Sequence, residues 1–284
     1  MQIIRTELHI GIDKPFSVIH MTDTHLTRAD ARDDERKNVL ARKRLRVFPE
    51  AETVIAEAER LSRETGYPIV HTGDIIDFVS EANLDRTREF IDGHDCFFAA
   101  GNHEFSLYVG EAWEDEAYRN KSLAKVQSVF QNDIRMSSRV IGGVNFIALD
   151  NGYYLFEEKQ LDFLKQEAKK GLPMILLMHT PLYEPTLYDI RVNRREEYGL
   201  PPQNPPCAYL LAVPEELMGD YDAHRFRQQK ADEITKRTFD YIHNEPMIKA
   251  LITGHLHSNY EGKLANGIPQ IMTSDTDLRI ITIT

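Results

Sequence analysis

The sequence predicts an α/β fold, and three observations carry that expectation. Short, continuously apolar β-type runs recur along the chain, helical patterns lie between them, and each run stops at polar or glycine residues. Continuous apolar runs, as opposed to strict alternation, are expected of strands covered on both faces. Strands that alternate with helices imply helical crossovers over a sheet. The runs are Ser17–Met21, Pro68–His71, Cys96–Ala100, Val144–Leu149, Met174–Met178 and Lys249–Thr253. Between the first two, Glu50–Thr65 is rich in Ala and Glu, follows Pro49 and stops at Gly66. Proline suits the first helical turn and glycine the C-cap. Glu157–Lys170 places Leu161, Leu164 and Ala168 on one face, with acids early, lysines late and Gly171 behind. That charge order matches the helix dipole. Asn259–Thr284 reads as short strands around an Asn266-Gly267 turn, which makes the sheet mixed.

Two segments stand outside this rhythm. Arg28–Phe48, with its Arg42-Lys43-Arg44-Leu45-Arg46 run, reads as a solvated helix face. Tyr183–Asn244 contains Pro201-Pro202 and Pro205-Pro206, then a helical-looking Asp220–His243. A stretch this long is expected to be a functional loop, here a lid or specificity insertion (residues 183–244), or else a passive surface insertion. It carries Arg191, Arg194 and Arg195, suited to a second anionic group, and Tyr188, Tyr198 and Tyr209, suited to stacking.

Composition bounds the function. The chain has 284 residues and a formal charge of −11, with an ordinary folded-protein share of apolar residues, so a single domain over residues 1–284 is expected. No apolar run approaches the roughly 20 residues that span a bilayer, which excludes a membrane partner of that kind. The acidic balance argues against long nucleic acid, though a small phosphorylated substrate is compatible with a local cation. The Met1–Glu7 segment lacks the basic and apolar regions of a signal peptide, and Cys96 and Cys207 are too few for a disulfide framework. The expected location is cytoplasmic.

The chemistry sits where the β runs end. They lead into Thr22-Asp23-Thr24-His25, Gly73-Asp74-Ile75-Ile76-Asp77, Gly101-Asn102-His103-Glu104, His179-Thr180 and Gly254-His255-Leu256-His257. In α/β sheets the C-terminal strand edge is where ligands bind, so these side chains are expected to converge. Imidazole, carboxylate and amide oxygen are metal ligands, and seven such groups exceed the appetite of one tetrahedral ion. Two ions are therefore expected, about 3.5–4 Å apart and sharing a carboxylate. In Asp-x-His and His-x-His, positions i and i+2 share a face if the segment is extended, so both members would reach one centre. Two such ions acidify a shared water toward neutrality and offset phosphate charge. A histidine with a carboxylate neighbour supplies the proton that a leaving alkoxide needs.

This constellation resembles the calcineurin-like metallophosphoesterase superfamily, whose pattern it matches in order from position 23 to 257. The resemblance implies a four-layer α/β/β/α sandwich of two mixed sheets with a dinuclear metal centre. Carried over position by position, Asp23, His25, Asp74 and His257 hold one ion, and Asp74, Asn102, His179 and His255 the other. The metals (Mn, Fe, Zn or Ni, divalent or trivalent) are left open. His103 faces the substrate as general acid, oriented by Asp77. His20 and His71 are expected as core or supporting residues, and His9, His94 and His243 as surface. His224, in the insertion, is kept as a substrate contact, and Asp150-Asn151-Gly152 as a turn. The protein-phosphatase branch has Gly after Asp-x-His and Arg after Gly-Asp-x-x-Asp; here Leu26 and Phe78 stand there, and Phe cannot bind phosphate in place of Arg. The expected activity is hydrolysis of a small phosphomonoester or phosphodiester. A cyclic-nucleotide phosphodiesterase, a phosphoprotein phosphatase and a non-catalytic scaffold are the alternatives, in falling order.

Overall fold

A computed structural model describes residues 1–110 and 115–284. The chain opens with β1 (Ile3–Leu8) and β2 (Phe16–Met21), then two helices, α1 (Glu35–Arg44) and α2 (Ala51–Thr65). Next come β3 (Ile69–His71), α3 (Glu81–Gly93), β4 (Cys96–Phe98) and two short helices, α4 (Glu116–Asn120) and α5 (Leu123–Gln127). A hairpin of β5 (Met136–Ile141) and β6 (Val144–Leu149) precedes α6 (Glu158–Ala168) and β7 (Met174–Met178). After α7 (Pro185–Val192), α8 (Ala223–Gln229) and α9 (Glu233–Asn244), the chain ends in β8 (Ile248–Thr253), β9 (Tyr260–Lys263), β10 (Pro269–Met272) and β11 (Leu278–Ile283).

These strands form two mixed sheets, ordered β1-β11-β2-β3-β4 and β5-β6-β7-β8-β10-β9. Within them β2, β3 and β4 run parallel, as do β6, β7, β8 and β10. The last strand, β11, lies inside the first sheet, parallel to β1 and antiparallel to β2.

Strand periodicity explains why the runs read as continuously apolar. In β6, Val144, Phe146 and Ala148 enter the core between the sheets, while Ile147 and Leu149 face the outer helices. In β7, Ile175 and Leu177 point inward while Met174, Leu176 and Met178 point outward. The first sheet is covered by α2 through Val54, Ile55 and Ala58 and by α3 through Leu84 and Phe90. The second is covered by α6 through Leu164 and by α9 through Ile242. The result is the four-layer α/β/β/α sandwich. No helix among the described residues is long and apolar enough to cross a membrane.

The 183–244 segment divides in two. Its last helix, α9, is a wall of the second sheet. The preceding part builds a small core of its own, in which Leu187, Tyr188, Cys207, Leu210 and Met218 close over Leu256 and Met272. A parallel bridge between Leu182 and Leu211 fastens it beside β7.

Candidate metal centre

The loops that follow β2, β3, β4, β7 and β8 meet at one edge of the sandwich. His25 Nε2 lies 3.2 Å from His257 Nε2, 3.7 Å from Asp74 Oδ2 and 3.9 Å from Asp23 Oδ1. His257 Nε2 is 3.4 Å from that same Asp23 oxygen. Beside this group, His179 Nε2 lies 3.1 Å from Asp74 Oδ2 and 3.1 Å from His255 Nδ1. Asp74 Oδ2 thus belongs to both groups. An ion held at about 2.1 Å by nitrogen and oxygen ligands separates neighbouring donors by roughly 3.0–3.4 Å, close to these spacings.

The donor chemistry fits cations. His179 Nδ1 donates to the Thr72 carbonyl at 2.7 Å and His25 Nδ1 to Asp77 Oδ1 at 3.1 Å, so each ring, once its Nε2 gives up any proton, presents that nitrogen's lone pair to the cluster. His255 meets the Tyr154 hydroxyl through Nε2 at 2.6 Å, and His257 Nδ1 lies 3.5 Å from Asp275. Outward anchoring of this kind fixes the orientation of ligating imidazoles. Two oxygens are orphaned. Asn102 Oδ1 and Asp23 Oδ1 are buried and accept no hydrogen bond, although the second Asp23 oxygen takes Thr22 Oγ1 at 2.6 Å and the His255 amide at 2.7 Å. A buried unsatisfied acceptor costs about 1–3 kcal/mol, which a cation at that position removes.

The backbone there is unusual. Asp23, His25, Asp74, His255 and His257 all have positive φ, between 48° and 70°. Left-handed backbone costs a non-glycine residue on the order of 1–3 kcal/mol and concentrates at functional sites. This corrects the expectation that Asp-x-His and His-x-His are extended. They are turns: Asp23 and His25 still reach one group, whereas His255 and His257 part to different ones. Close approach is enforced elsewhere by glycine. A Cβ on Gly73 would sit 2.3 Å from the Gly101 nitrogen, so the loops after β3 and β4 touch only because both residues lack one. The buried Glu104 carboxylate ties the same loops by accepting the amides of Asp74, Ile75 and Gly101 at 2.6–2.8 Å.

His103 stands beside the cluster. Its amide donates to Asp74 Oδ1 at 2.7 Å and its Nδ1 to the Asp77 backbone carbonyl at 2.7 Å, with the Asp77 carboxylate 3.4 Å away. Burial alone would lower its pKa, but the Asp74 and Asp77 carboxylates outweigh it and raise the value to about 9. The Asp77 carboxylate is chiefly the partner of Arg44, which forks it with Nε and Nη2 at 2.6 and 2.9 Å. Burial would raise the Asp77 pKa, yet His103, His25 and Arg44 hold it well below the ordinary carboxylate range. Phe48 stacks on His25 at 4.1 Å between ring centres.

Arg44, Phe48, Tyr154 and Asp275 therefore touch the site without having been singled out for it, and Glu104, named in the motif without a role, proves to tie its loops. Arg44 and Phe48 belong to the stretch read as a solvated face, and α1 indeed has no buried residue. A long cationic or aromatic side chain at the end of a charged helix was the one available signal. His20 bridges Thr72 and Thr273, and His71 stacks on Phe98 and accepts the Gly73 amide, both as supports. Asn151 is more than a turn residue, since its amide clamps both backbone groups of Thr180 next to His179.

A cleft of about 280 Å³ opens beside the cluster, with Asn102, His103, Tyr154 and His255 in its wall. The insertion completes it with Tyr209, His224, Arg225 and Gln228. Arg194 is instead paired with Glu197 on the surface, and Tyr188 donates to the Leu217 carbonyl.

Comparison with known proteins agrees with the fold. A dimetal phosphatase from Danio rerio superposes with a TM-score of 0.50 at 14% identity, covering 91% of this chain and 87% of that one. A phosphopantetheinyl hydrolase from Mycobacterium tuberculosis gives 0.44 at 9% identity, with 95% and 90% covered. For a putative 5'-nucleotidase from Staphylococcus aureus the values are 0.44 and 13%, with 92% of this chain covered and 49% of that longer one. No curated protein sequence matches the chain. The family model of the calcineurin-like phosphoesterases matches residues 16–259, from β2 through β8 together with every residue of the cluster, and the chain belongs to that family.

Proposed function

We propose that the protein is a dinuclear metal-dependent phosphoesterase acting on a small phosphomonoester or phosphodiester. Asp23, His25, Asp74 and His257 would hold one ion, and Asp74, Asn102, His179 and His255 the other. The observation that carries this reading is the sharing of Asp74 Oδ2 by two donor groups, each with an orphaned amide or carboxylate oxygen at its edge. When bound, such a pair supplies an activated water and offsets the charge of a phosphate in line with it.

The chain's own residues supply the rest. His103 lines the cleft, and with Nδ1 committed to the Asp77 carbonyl its Nε2 is left for the ester. From there it donates a proton to the leaving oxygen, a task worth roughly 10²–10⁴ in rate. The Asp74 carboxylate holds the His103 backbone, and so couples the acid to the shared ligand. Phe78, where an arginine marks the protein-phosphatase branch, is fully buried and offers no phosphate contact. The narrow cleft also favours a small substrate. The deciding experiment measures metal content and then hydrolysis of p-nitrophenyl phosphate and bis-p-nitrophenyl phosphate by protein loaded with Mn, Fe, Zn or Ni. Hydrolysis by the loaded protein and its loss on chelation is expected; two bound ions with no turnover of either ester would overturn the reading.

A further inference from the structure

We propose that the insertion builds a second anion subsite beside the metal centre, with Arg225 as its principal contact, so that the preferred substrate is a small phosphate ester carrying a second anionic group. This rests on the phosphoesterase reading above and narrows its substrate class.

The charge pattern of the cleft comes first. The protein as a whole is acidic, with a formal charge of −11, yet none of the described residues lining the cleft is an acid. Its walls carry His103, His224, Arg225 and His255 instead. Cationic groups gathered in the described wall of a cleft strengthen the local field that an anionic ligand meets.

The state of Arg225 is the second observation. Several arginines elsewhere in the chain pair with carboxylates: Arg44 takes Asp77, Arg86 takes Glu59 and Arg237 takes Glu158. Among the described residues the Arg225 guanidinium donates to the neutral Gln228 Oε1 at 2.6 Å and lies 5.0 Å above the Tyr209 ring, and the exposed Asp222 carboxylate acts on it without forming an ion pair. A planar fork with no carboxylate paired to it among the described residues, facing a cleft, is suited to bidentate recognition of a phosphate or carboxylate. Tyr209 in turn lies 6.2 Å from the His255 imidazole and holds a left-handed backbone at φ 55°. The Tyr209 ring thus stands in contact with both Arg225 and the ligand candidate His255, which places Arg225 in the same cleft for another group of the same molecule.

A third observation lies behind this wall. Arg191 is only 9% exposed, its Nε has no partner, and its Nη1 reaches only the Leu256 carbonyl between the two motif histidines. Arg195 bonds only the carbonyls of Arg191 and Pro201. Of these arginines Arg225 alone lines the cleft, while Arg191 lies against the segment between His255 and His257.

The test compares metal-loaded parent, R225Q, R225K and R237Q on alkanediol monophosphates, the matching bisphosphates and phosphocarboxylates of equal length. The parent is expected to prefer bisphosphate over monophosphate by roughly 10- to 100-fold in kcat/KM, mostly through KM, as one charge-assisted contact allows. R225Q should bring that ratio close to one, R225K should keep part of it, and R237Q, which removes the same charge from a surface pair, should keep all of it. The phosphocarboxylates identify the second group: equal preference marks any anion, and preference restricted to bisphosphates marks a phosphate, and either supports the subsite. Calorimetric binding of the same compounds separates the two readings. Tighter binding of bisphosphate without hydrolysis keeps the subsite and removes the phosphoesterase reading. Hydrolysis without discrimination, or a preference that survives in R225Q, overturns the subsite.

Discussion

Arg44→Ala is the most informative single perturbation, because it acts on the site from a helix that touches no metal-ligand candidate. The Asp77 side chain is wholly buried, and that of Arg44 is 23% exposed. Removing one partner of a buried ion pair costs about 3–5 kcal/mol, since the other charge is stranded. Here water can enter where the guanidinium was, and His25 Nδ1 remains within 3.1 Å of the carboxylate. A loss of about 2 kcal/mol is therefore expected, near the worth of a charged hydrogen bond. For a chain of this size that is a fall in Tm of about 4 °C. The functional effect follows from what Asp77 holds. His25 loses a rigid anchor, so metal affinity should fall roughly 10- to 100-fold, as for other outer partners of ligating histidines. Urea unfolding of chelated protein gives the stability term free of metal linkage. Calorimetric titration with Mn or Zn gives the affinity. Arg44→Lys keeps the charge without the fork and should fall between parent and R44A in both. An unchanged urea midpoint together with unchanged metal affinity in R44A would return Arg44 to the solvated face on which it was first read, and would refute the reasoning.

Other expectations address the site and the thiols. Asp74→Asn should lower metal stoichiometry and abolish turnover, by elemental analysis and rate; two retained ions at near-parental rate would contradict the shared ligand. His103→Ala should keep both ions and lose roughly 10²–10⁴ in rate, more for esters with poor leaving groups. A uniform loss across a leaving-group series would speak against proton donation. Burial pushes the Cys96 thiol up to about 12 and raises that of Cys207 as well, so both stay protonated at pH 8. Native protein should then resist iodoacetamide and take up two equivalents only when unfolded, as read by mass spectrometry; rapid native labelling would contradict the packing of β4 or of the insertion.

The fold was legible where strands are buried on both faces. Met174–Met178 and Val144–Leu149 coincide with β7 and β6, because both faces are lined with apolar side chains. β1 and β5 were not read, and the reason is their exposure. Both are edge strands with polar, half-exposed positions such as Arg5, Glu7, Ser137 and Arg139, which resemble loop sequence. α9 was read as a helix but assigned to the insertion, since nothing local says which surface an amphipathic helix covers. At the site, the residues at strand ends announced themselves by type and spacing. Arg44, Phe48 and Asp275 did not, because their relation to His25, Asp77 and His257 exists only once distant loops have met. The left-handed positions were equally hidden: Asp and His enter such backbone more readily than most residues, but nothing local says which Asp or His will do so.

The placement of β11 has a consequence for how the protein folds. Residues 278–283 form an interior strand, with Leu278, Arg279, Ile280, Ile281 and Ile283 buried, between two strands from the first 21 residues of the chain. Until that segment is available, β1 has no partner and β2 presents an open edge to its surroundings, the kind of edge that recruits other chains. The first sheet therefore cannot close until residues 278–283, more than 250 positions along the chain, have joined β1 to β2. Removal of residues 278–283 would spare every residue of the candidate metal cluster and still leave the sheet that carries Asp23 and His25 without the strand that joins β1 to β2.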